Sequence, residues 1–203
     1  MKMDKDADKF SIYVVEDDDA VLRSLCALLI AHGFETVACT SAEQFLDRYD
    51  PAKKAFMILD LRLPGMSGLQ LQTHLNELNV KIPIVVVTGH GDVPIAVQAM
   101  RAGAVDFIEK PAHEDRILKA VETASGLLFN RRPALVSKKI VVDRLEKLTD
   151  REREVLHHLL LGKLNKEIAS ELDVSQRTVE GHRSRIRDKM QARGIADLIR
   201  MVG

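Results

Sequence analysis

The chain has 203 residues, enough for two small domains, and its 46% hydrophobic content can fill a packed core in each. Its 30 Lys and Arg balance 30 Asp and Glu only in total, because residues 1–124 carry a net charge of −6 and residues 125–203 a net charge of +6. The acidic part suits cation binding and the basic part suits a phosphate backbone. Cys26 and Cys39 are too few and too unpatterned for a disulfide framework or a zinc site. With no signal-peptide core and no apolar run of membrane-spanning length, a cytoplasmic protein without a membrane partner is expected.

The charged residues 1–9 read as a disordered tail. Ser11 to Val15 is a strand run that stops at Glu16-Asp17-Asp18-Asp19, and Val21, Leu22, Leu25, Leu28 and Leu29 then recur at helical spacing until Gly33. Glu35 to Ala38 is a short second strand, and Ser41-Ala-Glu-Gln44 predicts a capping box opening a helix to about Tyr49. Ala55 to Asp60 is the central strand, followed by a loop rich in Pro and Gly and a helix over about 67–78. Pro83 to Thr88 is β-branched throughout, as a strand buried on both faces requires. Asp92 caps a helix to Arg101, Val105 to Glu109 forms a fifth strand, and a fifth helix covers about 114–128. Such alternation implies an α/β flavodoxin-like domain over 10–128, a five-stranded parallel sheet in the order 2-1-3-4-5.

Residues 129–147 read as a linker, interrupted at Pro133 and helical in part through Val141 and Leu145. Residues 148–203 are purely helical in pattern. Thr149-Asp-Arg-Glu152 opens a helix to about Leu161, Asn165 to Leu172 is a short helix, Asp173-Val174-Ser175 is a tight turn, and a longer helix runs to Met190 before a last short one. A four-helix domain containing a short helix, a turn and a basic second helix has the form of a helix-turn-helix.

Taken alone, Asp60 at a strand end caps the next turn, and Thr88 and Phe107 are an ordinary strand-end hydroxyl and core aromatic. Their placement changes that reading. With strands one and three adjacent at the topological switch point, Glu16, Asp17, Asp60, Thr88 and Lys110 converge on one sheet edge. Three crowded carboxylates repel one another, and a hard divalent cation such as Mg²⁺ relieves this while favouring Asp60 as a nucleophile toward phosphorus. Lys110 and Thr88 are placed to meet phosphoryl oxygens. Arg62 and His90 lie near the mouth of this site and read as solvated loop residues.

Glu16-Asp17, the Asp60-Leu-Arg-Leu-Pro-Gly-Met-Ser-Gly68 loop, Thr88-Gly89 and Phe107-Ile-Glu-Lys110-Pro111 together resemble the receiver domain of two-component response regulators. The resemblance implies Asp60 as phosphoacceptor, a Mg²⁺ site formed by Glu16, Asp17, Asp60 and the Arg62 carbonyl, Thr88 and Phe107 as the switch, and a cis Lys110–Pro111 peptide. Glu16 stands where aspartate is commoner. Ala112 replaces a bulkier apolar residue, which puts the packing of the fifth helix in question.

On a helical wheel of 175–190, Val179, Ile186 and Met190 face the core, whereas Arg177, Gly181, Ser184 and Asp188 face outward, flanked by Glu180 and Arg185. Solvation alone accounts for such a face. The segments Leu148 to Leu156, Gly162 to Ala169 and Val174 to Arg183 look like a LuxR-type helix-turn-helix, which makes the chain similar to the NarL/FixJ subfamily, nearest to FixJ-like members. The resemblance implies DNA contacts from Lys166, Arg177, Thr178, Glu180, Gly181, Ser184 and Arg185. Gly181 departs from the larger residue usual there, permitting close approach to a groove or standing as a tolerated defect. Arg183 lies nearer the core and is open to a structural ion pair.

The expectation is a phosphorylation-controlled transcription regulator rather than an enzyme. A sensor histidine kinase would phosphorylate Asp60, and the chain would then dimerise, bind double-stranded operator DNA and engage RNA polymerase. Two alternatives stand beside it. A haloacid-dehalogenase-like phosphatase needs a second carboxylate two positions beyond its nucleophile, where this chain has Arg62. A constitutive DNA-binding protein would leave Asp60, Thr88 and Lys110 unexplained.

Overall fold

Five runs of aliphatic and β-branched residues pair in the computed structural model as one parallel sheet, β1 (Ser11–Val15), β2 (Glu35–Cys39), β3 (Ala55–Leu59), β4 (Ile84–Thr88) and β5 (Asp106–Glu109), in the order β2-β1-β3-β4-β5. The structure describes residues 10–89, 92–129 and 138–202. The expected tail over 1–9, His90 and linker residues 130–137 lie outside these ranges. Val15 of β1 is level with Cys39 of β2 on one side and Leu59 of β3 on the other, so the residues that follow these strands leave the sheet at the same height. Every residue of β1, β3 and β4 is buried, as continuous apolar runs demand of a sheet covered on both faces.

Between the strands lie α1 (Asp19–Ala31), α2 (Ala42–Arg48), α3 (Gly68–Glu77), α4 (Val93–Arg101) and α5 (Glu114–Leu128). On one face of the sheet, Ile12, Val14, Phe56, Ile58, Val85, Val87 and Ile108 alternate inward to meet Leu22 and Leu29 of α1 and Ile117, Ala120, Val121 and Ala124 of α5. Ala112 packs against this same cluster, so the small residue after Lys110–Pro111 does not loosen α5. The Ser41 box forms only by half. Ser41 Oγ accepts the Gln44 N–H at 3.2 Å, but the Gln44 side chain turns to the Thr40 N–H at 2.7 Å instead of to Ser41.

The remaining helices are α6 (Lys138–Glu146), α7 (Asp150–Leu160), α8 (Asn165–Glu171), α9 (Gln176–Met190) and α10 (Ile195–Val202). The described residues cluster into two compact units, 10–89 with 102–129 and 92–101 with 138–202. In the second unit Val155, Leu159, Ile168, Val179, Ile186, Met190 and Leu198 form one core, to which α4 contributes Val93 and Val97. The α7 N-terminus carries the full reciprocal box, Thr149 with the Glu152 N–H and Glu152 with the Thr149 N–H. The turn between α8 and α9 passes through Asp173 at φ +51°, a left-handed position that Asp tolerates better than most residues. No helix of the described residues is long and apolar enough to cross a membrane.

Candidate phosphoacceptor site and nucleic-acid face

Because β1, β3, β4 and β5 end at one edge, the side chains at or just beyond their ends meet. Asp60 and Glu16 are buried there, Thr88 is fully buried, and Asp17 is exposed. Ligand atoms of Glu16, Asp17 and Asp60 all lie within 4.8 Å of one another. Lys110 Nζ bridges the two buried carboxylates, 2.5 Å from Glu16 Oε2 and 2.6 Å from Asp60 Oδ2. Asp60 Oδ1 accepts the Arg62 N–H at 3.1 Å, and the Thr88 hydroxyl donates to the same carboxylate. The Lys110–Pro111 peptide is cis.

The two carboxylates are held differently. Burial pushes the Glu16 carboxyl up, with the neighbouring Asp60 charge adding to it, and Lys110 only partly offsets this. Burial also works against the Asp60 charge, but the Lys110 ammonium, the Arg62 N–H and the Thr88 hydroxyl together outweigh it, so Asp60 stays below the usual carboxylate range. Lys110 is itself desolvated, yet its two carboxylate partners raise its pKa. One ammonium facing three carboxylates leaves the edge short of positive charge, and an all-oxygen donor set of this size fits a hard divalent cation.

Several supporting residues escaped the sequence reading. Gly68 presses against the end of β3 so closely that a Cβ there would lie 2.2 Å from the Asp60 carbonyl oxygen. Glu43 of α2 reaches across to accept the Met66 N–H at 3.0 Å, tying down the loop that follows Asp60, and Gly65 at φ +70° lets the loop pass beneath that carboxylate. Asp18 caps α1 through the N–H groups of Ala20 and Val21. An acid in the capping position three residues after a strand run was a signal for Asp18, whereas nothing local marks Glu43.

On α9, Val179, Ile186 and Met190 are fully buried, whereas Arg177, Thr178, Glu180, Ser184 and Arg185 are exposed and Gly181 is half-buried. Lys166 is exposed on the adjoining α8. Arg185 Nε folds back onto the Gly181 carbonyl at 3.1 Å. Arg183 Nη1 donates to Asn165 Oδ1 at 2.5 Å, which joins α9 to α8. Beneath them Lys189 pairs at 2.7 Å with the buried Glu152, so the helix presenting the basic face is anchored to α7 by its own charges.

Residues 12–122 match the response regulator receiver domain and residues 146–202 match bacterial regulatory proteins of the luxR family. The transcriptional regulatory protein FixJ of Rhizobium meliloti is 42% identical over 192 residues, spanning 95% of this chain and 94% of that one. The response regulator protein TodT of Pseudomonas putida is also 42% identical, over 94% of this chain and 84% of its own. Full-length FixJ from B. japonicum superposes with a TM-score of 0.53 at 38% identity, covering 95% of each chain, and the response regulator StyR with 0.57 at 39%, covering 96% and 98%. The charge division, the acidic sheet edge and the helix-turn-helix thus have one common explanation: the chain belongs to the FixJ- and TodT-like two-component response regulators, transcriptional regulators built from a receiver and a LuxR-type DNA-binding domain rather than catalytic enzymes.

Proposed function

We propose that Asp60 accepts a phosphoryl group from a sensor histidine kinase and that this controls DNA binding by residues 148–203. In this reading residues 10–128 form the phosphoacceptor domain and residues 129–147 the linker, and the protein works in the cytoplasm. The observation that carries it is the bridge from Lys110 to Asp60 and Glu16, which keeps Asp60 ionised in a buried site and holds a cation beside the attacking oxygen. An Asp60 oxygen attacks phosphorus as the P–N bond to the donor imidazole breaks, and the imidazole nitrogen keeps the electron pair. Lys110 then exchanges carboxylate for phosphoryl oxygen, and the Thr88 hydroxyl turns to the same group. Glu16, Asp17, Asp60 and the Arg62 carbonyl would hold Mg²⁺, which supplies charge neutralisation to the incoming phosphoryl group.

Movement of Thr88 opens space for Phe107 to turn inward, and the changed surface favours a homodimer. Paired helix-turn-helix domains then bind half-sites about one helical turn apart. Lys166, Arg177, Thr178 and Arg185 serve the phosphates, Glu180, Gly181 and Ser184 face the bases, and DNA-bound dimers engage RNA polymerase. Sedimentation velocity with Mg²⁺ and a small-molecule phosphodonor tests the sequence of events. Wild type is expected to shift from monomer to dimer and Asp60→Asn to stay monomeric. If wild type carried phosphate on Asp60 by mass spectrometry and remained monomeric, dimerisation would be wrong as the activating step.

A further inference from the structure

Strand β5 and helix α5 share a charged pair that the phosphoacceptor chemistry does not use. Asp106 has no exposure to solvent, a position that carboxylates occupy only when paired. Its partner is Arg116 in the first turn of α5, whose Nη1 and Nη2 donate to Oδ2 and Oδ1, each at 2.7 Å. Two parallel bonds of this kind fix the direction of both groups as well as their distance. The same two side chains also reach the main chain of the next residue. Asp106 Oδ1 accepts the Phe107 N–H at 2.9 Å, and Arg116 Nη2 lies 3.5 Å from the Phe107 carbonyl oxygen. Both polar backbone atoms of Phe107 are thus held by the pair, the N–H by Asp106 of β5 and the carbonyl by Arg116 of α5, and Lys110 follows three residues later, just past the end of the strand.

A buried ion pair is poor evidence of added stability, because the cost of desolvating two charges offsets most of their attraction, and two apolar side chains would cover this part of β5 as well. What the pair adds is geometry. We propose that Asp106 and Arg116 are positioning residues for the switch, holding the β5 backbone at Phe107 so that events at Asp60 turn the Phe107 side chain instead of displacing the strand. The proposal rests on the reading of Asp60 as phosphoacceptor and Phe107 as switch. It separates two steps that one variant can uncouple, since neither residue touches the carboxylate that takes the phosphoryl group.

The test uses the full chain with Mg²⁺ and a small-molecule phosphodonor, scoring phosphate on Asp60 by mass spectrometry and dimerisation by sedimentation velocity in the same samples. The double variant Asp106→Asn/Arg116→Met removes both charges and keeps the side-chain volumes close. It is expected to take phosphate to the wild-type extent while its dimerisation weakens by about tenfold, within the range that couplings between sites usually span. Arg116→Lys, which keeps the charge and loses the fork, is expected to fall between the two. A fully phosphorylated double variant that dimerises like wild type overturns the proposal, however far its melting temperature has dropped, because the pair is then only structural. Should the double variant fail to fold by circular dichroism, wild-type dimerisation of phosphorylated Arg116→Lys overturns it in the same way. A wild-type control that takes no phosphate or forms no dimer brings down the underlying reading and this proposal with it.

Discussion

The acidic site and the basic helix α9 are two charged regions of this molecule built on opposite terms. Lys110 and Glu16 are 94 positions apart in sequence, yet their charged atoms meet in a pocket where little water competes. The charges of α9 are neighbours in sequence and stand in solvent, apart from those that turn back to Asn165 and Glu152. Withdrawn charges depend on one another strongly, so one substitution unbalances the set. Exposed charges act through small, additive and salt-screened contributions.

Lys110→Met tests the first half of that contrast most severely. It leaves Glu16 and Asp60 facing each other without a cation, and removing one partner from a buried pair costs about 3–5 kcal/mol. A drop of that size is expected in urea unfolding at pH 7 without divalent cation, with part of it recovered when MgCl₂ is added. Identical midpoints with and without MgCl₂ would rule out cation binding at this edge. In wild type the two carboxylates of this site should respond to acid in opposite directions, each in its own pH window. Glu16, raised by burial, contributes stability below its unfolded value of 4.5 that is lost as pH rises through its higher folded value. Asp60, lowered against its burial by Lys110, contributes stability above 3.8 that is lost as pH falls through its lower folded value.

The second unit contains a buried carboxylate with no such counterweight. Burial opposes the Asp197 charge, but hydrogen bonds from the Arg193 side chain and N–H, and the nearby Arg200, bring its pKa down to about 2. Its contribution is complete above the unfolded value of 3.8 and disappears as pH falls toward 2, a loss of roughly 2 kcal/mol. The helical signal in far-ultraviolet circular dichroism should therefore fall over that window before the fluorescence of Tyr13 and Tyr49, both of which lie in the first unit. Asp197→Asn is expected to lower stability at pH 7 and to flatten the helical transition between pH 4 and 2. An unchanged acid profile in that variant would assign the transition to other groups.

These contrasts also explain what was legible beforehand. A carboxylate closing an apolar run, a hydroxyl closing a β-branched run and a lysine before proline announce themselves locally, and the strand order then brings them together. The buried stripe of Val179, Ile186 and Met190 was equally plain from helical spacing. Contacts between distant segments were not. Nothing near Glu43 points to Met66, nothing near Arg116 points to Asp106, and the Gln44 side chain chose the Thr40 N–H over Ser41 although the sequence pattern was correct. Periodicity records which face of an element is covered, but it does not record which polar group waits on the other side.

On the exposed side of the contrast, Lys166→Ala should leave folding untouched and weaken binding to a random-sequence duplex by about fivefold at moderate salt. The slope of log affinity against log salt should fall by about 1, the amount one phosphate contact contributes. A loss of affinity with an unchanged slope would mean that Lys166 acts otherwise than by neutralising a phosphate.

Gly181→Ala gives the smallest effect and separates the two explanations of that glycine. A Cβ at this position would approach only Arg185 Nη2, at 3.4 Å, and the end of an arginine side chain moves at little cost. Alanine therefore fits the free protein, and the helix gains just under about 1 kcal/mol from the more restricted backbone. In a unit of this size that corresponds to a rise in melting temperature of about 4 °C or more. If the glycine is a tolerated defect, affinity for a duplex selected from a random pool stays the same while the melting temperature rises. If it permits close approach to the groove, the melting temperature still rises but affinity for the selected duplex falls, and the fall exceeds that for random sequence. Stability alone cannot distinguish these cases, since the added methyl group meets the same neighbours in the free protein either way. The DNA is the partner that discriminates between them.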